Sequence, residues 1–178
     1  MKKILFYTLL FIFLTTLNAK EIKNFTLIEE NEDYYVITFS MENIQLETVG
    51  HYTKITVESS ATTETVGMPN LPLFTSLIEI ENGSEYTIEY EVKNSEKIQD
   101  VMISPNQSMV NGLERSEILD VDQDYYNSNL IYPSNKIYLS DPMVMRDISI
   151  SILSLIPFEY NPKTQELEVF KSIEIRLI

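Results

Sequence analysis

The chain has 178 residues, with 27 Asp+Glu against 13 Lys+Arg, a formal net charge of −14, one histidine and no cysteine. The missing cysteines exclude a disulfide framework, a thiolate nucleophile, a Cys-ligated metal centre and a lipoprotein anchor, and one histidine excludes a His-rich metal site. With only three arginines and an acidic balance, the chain lacks the basic charge that displaces counterions from phosphate, so no nucleic-acid partner is expected.

The N-terminus reads as an export signal. Met1-Lys2-Lys3 is basic, residues 4–14 are apolar apart from Thr8, and residues 15–19 turn polar and end in the small Ala19. This is the layout of a secretory signal peptide cleaved after Ala19. The apolar run is short of the roughly 20 residues that a membrane-spanning helix needs. We therefore expect a signal peptide over 1–19, one domain over 20–178, export to the periplasm or the medium, and no membrane association after cleavage.

From there the dominant period is two, which on a strand puts one face in a core and one in water. Tyr35, Ile37, Phe39 and Met41 alternate with Tyr34, Val36, Thr38 and Ser40. Residues 59–72 are rich in Ser and Thr, then Gly and Pro, and read as a long surface loop. Asn82-Gly83 separates residues 77–81 from 85–93, and that dipeptide tolerates the positive φ of a type I′ turn, which predicts a β-hairpin. Residues 106–133 are polar, acidic and irregular, with a short helical turn predicted at 113–119. Ile148, Ile150 and Ile152 alternate with Asp147, Ser149 and Ser151, and this predicts the isoleucines on the core face. Adjacent Ile152 and Leu153 break the alternation, as a β-bulge or a sheet-switching bend would. Asn161-Pro162-Lys163-Thr164 predicts a reversal between strands at 158–160 and 166–170, and Ile173, Ile175 and Leu177 mark a final strand. Many short strands without a helical period predict an all-β fold, a single antiparallel β-sandwich of jelly-roll type.

Chemistry-bearing constellations are few. His51 follows Gly50 in a predicted turn with no neighbouring carboxylate and is read as an exposed loop histidine. Acid–base chemistry by paired carboxylates would need two of them positioned in a cleft, yet most acidic residues here alternate with apolar ones on solvated strand faces. Asp120-x-Asp122-x-Asp124 opens like a calcium loop but has Tyr125 where an EF-hand has Gly and Ile131 where it has Glu. No cofactor is expected, and calcium at Asp120, Asp122 and Asp124 is the single metal candidate.

Several motifs together carry more. They are Gly67-x-Pro69-x-Leu71-Pro72, Ser104-Pro105, Leu139-Ser140-Asp141-Pro142, Arg146-Asp147 and Pro157-Phe158-x-Tyr160-Asn161-Pro162-x-Thr164. In this order the chain resembles the N-terminal propeptide (prodomain) of gingipain-type C25 cysteine peptidases, over nearly all of its length after the signal. The resemblance implies a β-sandwich that docks on the peptidase's catalytic domain, assists its folding and holds it latent. A loop would enter the active-site cleft and present a basic side chain there. Counting from Pro105, the family's basic position falls near Gly112 in Asn111-Gly112-Leu113-Glu114-Arg115. Three readings stand: Arg115 is the plug after a small insertion, the cognate peptidase needs no basic residue, or Arg115 is a solvated loop arginine. The resemblance also implies that Asp141, Arg146, Tyr160 and Asn161 are structural, with Arg146 tying a loop to a strand through carboxylates. The family's catalytic His and Cys domain is absent, so no peptidase activity is expected. A chain that stops inside its last predicted strand is either a free-standing prodomain acting in trans or a truncated precursor. The competing functions are a secreted β-sandwich binding or adhesion module with no peptidase partner, and an acidic hydrolase.

Overall fold

The computed structural model describes residues 24–31, 34–81, 86–108 and 119–178. Twelve strands and one short helix form among them: β1 (Phe25–Glu30), β2 (Tyr35–Ser40), β3 (Gln45–Val49), β4 (Tyr52–Thr56), β5 (Ala61–Thr62), β6 (Pro72–Glu79), β7 (Ile88–Ile98), α1 (Gln123–Tyr126), β8 (Ile137–Leu139), β9 (Met143–Met145), β10 (Ile148–Leu155), β11 (Phe158–Asn161) and β12 (Glu166–Leu177). They build two five-stranded antiparallel sheets. The first runs β1-β2-β12-β11, with β7 on the other edge of β12; the second runs β5-β6-β10-β8, with β9 also on β10. The hairpin β3–β4 forms a small third sheet, with Gly50 (φ 64°) and the exposed His51 in its turn.

The two main sheets face each other across an apolar core. Phe39 of β2, Phe158 of β11 and Leu167, Val169, Ile173 and Ile175 of β12 meet Phe74 of β6 and Leu153 and Leu155 of β10. The Phe39 and Phe74 rings contact edge-on, 5.0 Å between centroids, across the sandwich. The β-sandwich predicted from the alternation is the fold observed. The reversal at Asn161 is present too: its side-chain oxygen accepts from the backbone N–H of Lys163 (3.0 Å) and Thr164 (3.3 Å), an Asx turn.

Four expectations are corrected. The Asn82-Gly83 hairpin does not form between its flanking strands, because β6 pairs with β5 and β10 while β7 pairs with β12 in the other sheet; burial of Phe74 and Ile80 selects the partner of β6 over local turn chemistry. Asn82 and Gly83 themselves lie outside the described residues. The bulge expected near Leu153 is absent, since β10 keeps an unbroken register with β6 from Ile150 to Leu155. Register shifts occur instead in β1 between Leu27 and Glu29 and in β12 around Lys171, where two predicted strands are joined into one. Residues 59–72 are not a surface loop throughout: Thr63, Gly67, Pro69 and Leu71 are buried.

The fourth correction concerns β10. Ser149 and Ser151 occupy its inner face and are buried, whereas Ile148 is 44% exposed and Ile150 and Ile152 are half-buried on the outer face. Leu153 and Leu155, both fully buried against Phe74 and Ile137, fix which face of this regular strand points inward. With a period of two, that choice carries Ser151 and Ser149 inward with them. The apolar residues therefore change face halfway along a straight strand.

Candidate functional site

The motif residues 67–72 do their work at one end of the sandwich. Gly67 adopts φ +82°, and a Cβ there would lie 2.9 Å from the backbone nitrogen of Asp122. Glycine is required twice over, for the left-handed conformation and for the close approach. The Gly67 N–H donates to the Asn106 carbonyl (2.8 Å) and the Asp122 N–H donates to the Gly67 carbonyl (3.0 Å). Asn106 N–H in turn donates to Met68 O, and Asn70 N–H to Ser104 O. The buried Thr63 hydroxyl donates to Pro69 O (2.9 Å) and accepts from Leu71 N–H (3.1 Å). One loop thus ties together the stretch before residue 108 and the stretch after residue 119.

Those two stretches also grip each other directly. The Gln107 amide donates to Asp120 O (3.0 Å) and accepts from Asp120 N–H (2.9 Å), so it pairs with the backbone as a neighbouring strand would. Asp120 Oδ2 accepts from the Ser108 hydroxyl (2.7 Å) and the Ser108 N–H (3.3 Å). These bonds, the hydroxyl first, hold the Asp120 carboxyl below its ordinary pKa by favouring the charged form. Beyond Asp120, the Asp122 carboxylate caps α1 by accepting from Tyr125 N–H (2.9 Å). Tyr125 and Tyr126 then anchor α1 on the sandwich: the Tyr125 hydroxyl donates to Tyr160 O (3.1 Å) and the Tyr126 hydroxyl to Ile103 O (2.7 Å). Burial raises both phenol pKa values, so both stay neutral donors.

The sequence-predicted residues distribute as follows. Asn111, Gly112 and Arg115, and all but the last residue of the predicted helical turn at 113–119, lie outside the described residues; their flanks Ser108 and Asp120 are hydrogen-bonded to each other. Asp120, Asp122 and Asp124 do not converge: the first binds Ser108, the second caps α1 and the third is exposed in its first turn. Among the described residues, no group of three His, Cys, Asp or Glu side chains is placed to hold a metal ion. Tyr160 is fully buried and donates to Val101 O (3.2 Å), and Asn161 Nδ2 donates to Asn129 Oδ1 (3.0 Å). Arg146 departs from expectation. It stands with Asp147 in the two-residue turn between β9 and β10, exposed at φ 60°, and forms no ion pair among the described residues. The tight turn, in which Met145 pairs with Ile148, leaves the arginine exposed rather than tied to a strand.

Nor do Glu91 and Glu174 of the described residues form an acidic-hydrolase arrangement. Glu91 and Glu174 are cross-strand partners over a shallow depression, but both face Lys93 (2.6 and 3.7 Å). The hydrogen bond from Lys93 lowers the Glu91 pKa, the reverse of the raised value a general acid needs. Sequence reasoning missed Gln107 and Ser108, which have no motif of their own. It also missed the outer face of β6, β9 and β10, whose signal was the break in alternation at Ile152 and Leu153.

Comparison with known proteins gives one consistent result. The family Propeptide_C25 matches residues 18–178. Gingipain R2 of Porphyromonas gingivalis is 24% identical over 155 residues, covering 84% of this chain and 21% of its own length. Gingipain R1 of the same organism is 26% identical over 110 residues, 61% of this chain and 11% of its own. This chain therefore spans about a fifth or less of the relatives it matches. A solved complex of the Porphyromonas gingivalis RgpB pro- and mature domains matches with a TM-score of 0.72 at 25% identity, covering 86% of this chain and 84% of the matched one. A structure concerned with the zymogenic latency of gingipain K has the same fold, with a TM-score of 0.71 at 16% identity, covering 86% and 90%. No helix among the described residues is long and apolar enough to cross a membrane.

Proposed function

The chain belongs to the C25 propeptide family, the propeptide rather than the catalytic domain of these cysteine peptidases, and from that membership we propose that it binds a gingipain-type catalytic domain as latency inhibitor and folding chaperone. The observation that carries the reading is the match, over most of both chains, to a solved complex of pro- and mature domains. The geometry adds a mechanism. Residues 67–72, Gln107, Ser108 and Asp120 bind the two flanks of 109–118 to each other and to the sandwich. Fixing the flanks of a substrate-like segment in advance lowers the ordering cost of binding. The inhibitory residue belongs to that segment, with Arg115 or Gly112 at the position that meets the peptidase. Export through residues 1–19 delivers the protein to the compartment of its partner.

The test is inhibition. The full chain, its fold verified by circular dichroism, is titrated against the catalytic domain of gingipain R2 and peptide turnover is followed. Suppression at or below micromolar concentration is expected, with Arg115→Ala weakening it more than Gly112→Ala if Arg115 is the plug. No suppression at micromolar concentration removes the inhibitor reading. An unchanged refolding yield of the denatured catalytic domain in its presence removes the chaperone reading. Mass spectrometry of the exported product should find Lys20 at its N-terminus.

A further inference from the structure

The two sheets treat their outer faces in opposite ways. Outside the first, β7 and β12 carry a ladder of charges: Lys97 contacts Glu166 (2.7 Å), and Lys93 contacts Glu91 (2.6 Å) and Glu174 (3.7 Å). This is the polar-out arrangement expected of a sheet facing water. The second sheet breaks it. On its outer face Leu77 is 68% exposed, Met145 66%, Met143 51% and Ile148 44%, with Ile150 and Ile152 between them. The register makes them one patch: Leu77 is opposite Ile152, Met143 opposite Ile150, and Met145 opposite Ile148. Beneath the patch, the hydroxyls of Ser149 and Ser151 are buried without a protein hydrogen-bond partner. Over this stretch β10 turns its apolar side chains outward and its polar ones inward, and such violations of the folding pattern concentrate at functional surfaces.

We propose that this outer face of β6, β9 and β10 is the surface that docks on the peptidase catalytic domain, an inference that rests on the function proposed above. The exposed apolar area is on the order of 500 Å², the upper end of what monomers show and more than half of the ~800 Å² that one partner contributes to a standard interface. Its rim is anionic, with Glu79 beside Ile150 and the exposed Asp141 and Asp147 flanking β9 on either side, against the lone cation Arg146 among these four. A second copy of this chain would bring the same rim and another net charge of −14 against it. The surface fits a partner with an apolar patch and a basic border.

The experiment measures binding of the full chain to the inactivated catalytic domains of gingipain R2 and gingipain K. The double variant Leu77→Asp/Met145→Asp should weaken binding at least 100-fold. Leu27→Asp/Ile28→Asp, on the exposed part of β1, should change it less than 3-fold. Urea midpoints of both variants should match the wild type, and Leu77→Ser/Met145→Ser replaces the first pair if they do not. In the complex, hydrogen exchange should slow over residues 75–79 and 143–152. Wild-type binding that survives the patch substitutions overturns this inference and leaves the proposed function standing. Absence of binding to both catalytic domains overturns both. A wild-type dimer in light scattering that the patch variant converts to monomer assigns the face to a second copy and also overturns the inference.

Discussion

Replacing Ser151 by Ala should make the protein more stable. The Ser151 side chain is fully buried on the inner face of β10, and its hydroxyl has no protein partner. A buried hydroxyl left without a hydrogen bond costs about 1–3 kcal/mol in protein mutational data. The substitution removes that oxygen and leaves a void smaller than a methyl group, which at ~24 cal/mol per Å³ costs only a few tenths of a kcal/mol. The net gain is about 1–2 kcal/mol, or a rise in Tm of about 2–8 °C for a domain of this size. Ser149→Ala should act in the same direction. Urea unfolding read by circular dichroism is the assay, with a higher midpoint at unchanged m as the expected result. A loss of 1 kcal/mol or more at unchanged m would refute the reasoning, because it would mean that the hydroxyl is hydrogen-bonded in the folded protein.

Three further outcomes are expected. Gly67→Ala should cost at least ~2 kcal/mol in the same assay, since left-handed backbone costs a residue with a Cβ about 1–2 kcal/mol and the new Cβ meets the Asp122 backbone as well; a neutral result would show that Asp122 moves freely. Leu153→Ala should cost about 2–5 kcal/mol and Leu77→Ala about 0.5 kcal/mol or less, because the first is fully buried and the second 68% exposed; equal costs would refute the assignment of faces on β6 and β10. Asp120 has a depressed pKa, so its tie to Ser108 is fully present above the unfolded carboxyl pKa and is lost as pH falls through the lower folded value. In Ser108→Ala the Asp120 midpoint, followed by NMR, should move up, and an unmoved midpoint would show that the serine hydroxyl contributes nothing.

Where a strand has one core face and one wet face, the alternation could be read directly. Phe39 on β2 and Ile173, Ile175 and Leu177 on β12 are buried as their spacing predicts. The Asn161 turn was legible for a local reason, since its side chain bonds the backbone two and three residues on. Pairing between strands was not, because β6 and β7 choose partners far along the chain and Asn82-Gly83 speaks only for its neighbours. The face of β10 was misread for a related reason. Three isoleucines outvote two leucines in a count of apolar residues, but Leu153 and Leu155 have Phe74 and Ile137 to pack on and the isoleucines do not. Of the candidate site, Gly67 and Pro69 were visible as a motif, whereas Gln107 and Ser108 acquire their role only when Asp120 is brought beside them.

The placement of β12 has a consequence for the order of synthesis. This strand lies between β7 on one edge and β2 and β11 on the other, so the first sheet is joined through it. β2 is complete at Ser40 with β1 already made, yet its other neighbour, β12, is complete only at Leu177. At ~5–20 residues per second, β2 waits on the order of ten to thirty seconds for the strand it will pair with. During that interval β2 and β7 both present open edges to any other extended chain. The charges along β7, Glu89, Glu91, Lys93 and Lys97, discourage such pairing while the edge is open and become the outer ladder once it closes.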